Sequence, residues 1–97
     1  MSVVFSTMAP DVDPTIARLR AEIAEVDEAI LRAVNRRLGL VAEIRRHKEA
    51  TSVPFVQPDV EERNLEALGR KNPGPLSADG LRRLYREVLD LTKRELG

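Results

Sequence analysis

The sequence predicts an all-α fold of three helices, long, short and medium in chain order. Three observations carry this. From Thr15 to about Ala50 there is no proline and a single glycine, Gly39. Over that stretch apolar residues recur at 16, 19, 23, 26, 30, 34, 38, 41 and 44, the three-and-four spacing of an amphipathic helix. The remaining proline- and glycine-rich breaks divide the rest into two further helical runs, with no apolar alternation long enough for a strand.

Residues 1–13 (MSVVFSTMAPDVD) show no sustained period and read as a mobile N-terminal tail; 14–97 read as the folded domain. Asp13-Pro14 is a helix start: a capping carboxylate, then a proline where a missing amide proton costs nothing. Thr51-Ser52-Val53-Pro54 ends the first helix. Val53–Pro58 (VPFVQP) reads as a short extended stretch. Asp59 is placed to cap a second helix to about Arg70, with Glu61 and Glu62 in its first turn, where the dipole favours acids. Lys71-Asn72-Pro73-Gly74-Pro75 is a turn cluster. Ser77 or Asp79 caps a third helix through Glu95, which carries Leu81, Leu84, Tyr85, Val88, Leu89 and Leu91.

The first helix is too long for its own chain. Roughly 35 residues make a rod of about 50 Å, whereas a compact chain of this size has a radius of gyration of about 13 Å. Its apolar seam needs another chain, and a two-fold homodimer is the commonest solution.

Composition removes several functions. The 97 residues hold 16 Lys+Arg and 16 Asp+Glu, so the formal net charge is zero. That balance argues against a nucleic-acid partner, which requires surplus cation. There is no Cys and one His, His47, so neither a thiol nucleophile nor a His- or Cys-based metal site is expected. No apolar run reaches the roughly 18 residues of a membrane span. A secretory signal is not evident, and a cytoplasmic setting is the expectation.

One face of the first helix departs from an apolar seam. Alternating steps of three and four give Arg20, Ile23, Asp27, Ile30, Val34, Arg37, Val41, Ile44 and Lys48. Arg37 and Lys48 are about three turns apart and project alike. Each cation alone can be read as snorkelling to water or pairing with an acid across the seam. Together, with Asp27 as the one acid, they suggest that a ligand supplies the missing negative charge, because burying guanidinium groups without partners is costly. Two arginines and a lysine suit a small dianion, since the arginine fork matches a carboxylate bidentately. Arg20 lies about 25 Å along the helix from Arg37. Both can meet one small ligand only if Arg20 comes from an antiparallel second chain. Arg36, Arg45 and Arg46 fall off this stripe and read as solvated. His47 reads as a surface residue and Tyr85 as core.

The segments LRAEIAEVDEAILRAVNRRLGLVAEIRRHKEA (Leu19–Ala50), VPFVQPDVEE and NPGPLSADGLRRLYREVLDL resemble the all-helical AroQ-type chorismate mutases. They are nearest to the domains fused to prephenate dehydratase or to DAHP synthase, the first enzyme of the shikimate pathway. The likeness spans about residues 15–96. It implies an intertwined helical homodimer with two equivalent sites, each built from both chains. It also implies a Claisen rearrangement of the dicarboxylate chorismate to prephenate, with no metal or cofactor. By the same resemblance, Arg20 binds a carboxylate in the other chain's site and Arg37 one in its own. Lys48 bridges a carboxylate and the ether oxygen. Glu61 accepts from the ring hydroxyl, or only stabilises its helix start. Thr92 stands where many members have a serine near a carboxylate.

The sequence departs from the family at three positions. Val60 replaces an arginine. Gln57 stands at a frequently acidic position, as a loop hydrogen-bonder or a ring-hydroxyl contact. Leu96 aligns with the Gln or Glu that donates to the ether oxygen, and Glu95 beside it would have to be protonated to do so. These departures keep two other readings open. One is a mutase for 4-amino-4-deoxychorismate, or an isochorismate pyruvate lyase. The other is a weakly active regulatory helical domain that partners a shikimate-pathway enzyme.

Overall fold

The computed structural model describes residues 13–52 and 58–97. The expected tail up to residue 12 and the extended stretch 53–57, which includes Gln57, lie outside the described residues. The elements are α1 (Pro14–Thr51), α2 (Pro58–Lys71) and α3 (Ala78–Leu96), with no strand among the described residues. The all-α expectation and the order long, short, medium both hold.

The helix ends follow from local chemistry. Asp13 caps α1: its carboxylate accepts from the Thr15 amide at 2.8 Å. At the other end Ser52 turns into the left-handed region at φ 60°, and the Thr51 hydroxyl donates back to the His47 carbonyl at 3.0 Å. Helix α2 starts two residues earlier than expected. Pro58 occupies its first position, which requires no amide proton, so Asp59 lies inside the first turn rather than capping it. Its carboxylate pairs with Arg63 at 3.3 Å instead.

Between α2 and α3, Asn72 organises the turn. Its side-chain oxygen accepts from the Gly74 amide at 3.0 Å, and its amide nitrogen donates to the Leu76 carbonyl at 2.9 Å. Gly74 holds φ at 79°, a conformation that side chains disfavour, and the Gly74–Pro75 peptide is cis. Ser77, not Asp79, caps α3, with Asp79 paired to Arg83 at 3.3 Å. At Gly80 an added Cβ would come within 2.7 Å of Leu76 Cδ1, so the absent side chain lets Leu76 fold back over the helix start.

The chain divides after Arg37 into two units, Met1–Arg37 and Leu38–Gly97. In the first, the described part of α1 has no buried residue, and Ile16, Leu19, Ile23, Val26, Ile30 and Leu31 are all exposed. Ile23 and Ile30 keep 53% and 56% of their surface. In the second, α2 packs on α3, and the buried residues among those described are Tyr85 and Thr92. Tyr85 is core, as its spacing suggested. Leu40, Ile44, Leu68, Leu76 and Leu84 stay exposed there. A single chain thus leaves eleven large aliphatic side chains among the described residues 40–62% exposed, and covering what remains in water would stabilise each by about 1 kcal/mol.

Candidate active site

The residues expected to carry chemistry fall on all three helices. Arg20 and Arg37 belong to the first unit, on α1, and both are half-buried. Lys48 is half-buried in the last turn of α1, where a cation also complements the helix dipole. Glu61 is half-buried in the first turn of α2. Thr92 is 9% exposed on α3, and its hydroxyl donates to the Val88 carbonyl one turn earlier at 2.7 Å. Glu95 is exposed and Leu96 half-buried, in the last turn of α3. Gln57 lies outside the described residues.

Within the second unit one contact joins two of these places. The Arg45 guanidinium donates through Nη1 to the Leu96 carbonyl, across 51 positions of sequence. Arg45 precedes Lys48 by three residues, and side chains so spaced are neighbours on a helix surface. Leu96 follows Thr92 by one turn. The end of α3 is therefore tied to the turn of α1 that bears Lys48. The expectation that Arg45 is solvated is corrected: its side chain is 35% exposed and also pairs with Glu49 at 3.4 Å. The missed signal is the run of unpaired carbonyls at any helix end, which attracts a long basic side chain. Periodicity along α1 alone does not reveal which helix end reaches that side chain.

Four further ion pairs among the described residues are exposed and join residues four apart in one helix: Arg18 with Glu22 at 2.6 Å, Arg32 with Glu28 at 4.0 Å, and the Arg63 and Arg83 pairs. Such pairs stabilise a helix by about 0.3–0.5 kcal/mol each and leave chemistry untouched. Among the described residues no group of three or more His, Asp or Glu could hold a metal ion, and no helix is long and apolar enough to cross a membrane.

The helix order and the cation-bearing α1 define an all-helical domain with an apolar surface left open in one chain. The family model for type II chorismate mutases matches residues 19–95. The chain belongs to that family, and it is an enzyme, an isomerase. Among solved structures it is similar to a chorismate mutase (form I) from Thermus thermophilus, with 35% identity and a TM-score of 0.78. That match covers 80% of this chain and 98% of the other. No curated protein sequence matches significantly.

Proposed function

We propose that this chorismate mutase acts as a homodimer whose two sites each combine Arg37, Lys48, Glu61 and Thr92 of one chain with Arg20 of the other. The observation that carries the assignment is the type II chorismate mutase match, which spans most of α1, all of α2 and nearly all of α3. The exposed aliphatic residues of α1 support the second chain. Neither the substrate analogue readings nor the regulatory reading is favoured by these findings.

The reaction itself explains the residue types. In the rearrangement of chorismate an ether C–O bond breaks as a C–C bond forms within one molecule. No group leaves and no proton must be abstracted, so the chain needs no nucleophile or general base. It has to select a chair-like conformer and stabilise negative charge growing on the ether oxygen. Arg37 and Arg20 are suited to grip the two carboxylates bidentately. Lys48 supplies a point charge able to reach a carboxylate and the ether oxygen together. Glu61 is the candidate acceptor for the ring hydroxyl, a role supported by its match to the family's glutamate. Gln57 is a further candidate contact.

Leu96 at the family's donor position leaves Lys48 to carry more of the developing charge. Loss of one such donor costs roughly 10²-fold in rate, and a slow enzyme is the expectation. Glu95, exposed beside Leu96, is the alternative contact. A cytoplasmic setting and a partner or fused shikimate-pathway enzyme complete the proposal. It is tested by following chorismate absorbance with the purified chain and identifying the product.

A further inference from the structure

We infer that Arg45 is a positioning residue of this active site: it holds the last turn of α3, with Thr92 and Glu95, at the turn of α1 that carries Lys48. The inference rests on the site proposed above and adds to it a residue that touches no substrate.

Three features set Arg45 apart. The arginines of four exposed ion pairs of the same spacing, Arg18, Arg32, Arg63 and Arg83, keep 62–78% of their side-chain surface, whereas Arg45 keeps 35%. Its guanidinium works in two directions: Nε faces Glu49 at 3.4 Å and Nη1 donates to the Leu96 carbonyl. It also lies over the end of α3, since a Cβ at Gly97 would stand 3.9 Å from Nη1.

The chemistry suits the place. The last carbonyls of a helix lack intrahelical partners and carry partial negative charge. Gly97, at φ 82°, ends α3 and leaves the Leu96 carbonyl available to a side chain from elsewhere. A guanidinium is a rigid fork, so holding Nε at Glu49 fixes where Nη1 points. Glu49 thereby orients Arg45, and Arg45 orients the α3 terminus. Lys93 and Arg94 lie in the same last turn but belong to α3 itself, so they cannot register it against α1. A lysine at 45 has one donor head and cannot engage a carboxylate and a carbonyl with the same planar geometry.

The test begins with wild-type chorismate turnover. Arg45→Ala, Arg45→Lys and Glu49→Gln are then compared by steady-state kinetics, circular dichroism and amide exchange of the segment 90–97. In Arg45→Ala, kcat is expected to fall by ~10-fold or more with KM within about threefold, because a small misplacement of catalytic groups is expensive while the carboxylate grips are intact. Exchange at 93–97 is expected to quicken, with total helicity retained. Arg45→Lys should recover part of kcat, and Glu49→Gln should lower it less than Arg45→Ala does. A folded Arg45→Ala enzyme with kcat within twofold of wild type overturns the inference. If that variant does not fold, unchanged kcat in both Arg45→Lys and Glu49→Gln overturns it. A wild-type chain inert toward chorismate defeats the mutase reading and this role with it, and is seen before any variant is compared.

Discussion

The Ser77 hydroxyl oxygen accepts the Gly80 amide at 2.9 Å, and this one bond sets where α3 begins. It fixes the register of the helix that carries Tyr85 and Thr92. Ser77→Ala is expected to cost about 1 kcal/mol of stability, while Ser77→Asp keeps the cap. Thermal unfolding followed by circular dichroism checks this. The alanine variant should melt several degrees lower yet keep wild-type kcat well below its melting point.

Arg37→Ala and Lys48→Ala are each expected to lower kcat/KM by orders of magnitude. Lys48→Ala should act mainly on kcat, since its charge is needed most as the ether bond breaks. Arg37→Ala should raise KM as well, because a carboxylate loses its grip in ground state and transition state alike. Helicity should stay near wild type in both. Near-normal turnover in either would remove that residue from the site.

Arg20 makes the cross-chain claim testable. Arg20→Ala and Arg37→Ala chains, each inactive alone, should regain activity when mixed and allowed to exchange. In an equal mixture half the dimers are mixed, and each of those has one complete site, so about one quarter of wild-type activity is expected. Absence of recovery after exchange, verified by mass spectrometry of tagged chains, would place Arg20 outside the partner's site.

Thr92 tests a smaller contribution. Its hydroxyl already bonds the Val88 carbonyl, so Thr92→Val removes a polar group while retaining shape. KM for chorismate should rise severalfold with little change in kcat, and Thr92→Ser should stay near wild type. A Thr92→Val enzyme with unaltered KM would make Thr92 a purely structural residue.

The exposed aliphatic face of α1 carries the prediction on assembly. Ile23→Glu or Ile30→Glu should turn a two-chain particle into a monomer with much reduced helicity, as both side chains are more than half exposed within one chain. Sedimentation at micromolar concentration distinguishes the outcomes. A wild-type chain that sediments as a folded monomer would contradict the proposed assembly.

Much of the fold was legible in the sequence because its determinants are local. Asp13-Pro14 and Ser77 act within three residues of themselves, and the three-and-four spacing needs only a helix to have meaning. Asp59 falls two positions away from its expected capping role because Pro58 serves equally well as an extended residue or as the first of a helix, and nothing nearby decides between them. The cationic stripe of α1 was visible for the same local reason. Arg45 was not, because its role depends on where the end of α3 lies, 51 positions away. Long-range docking of one helix end on another helix leaves no periodic mark.

The most direct measurement is the disappearance of chorismate absorbance on adding the purified chain, with the product identified by mass spectrometry and acid conversion. The account predicts prephenate as the sole product, formed slowly but well above the uncatalysed rate and without added metal or cofactor. No acceleration with chorismate, or release of pyruvate from isochorismate in its place, would contradict it.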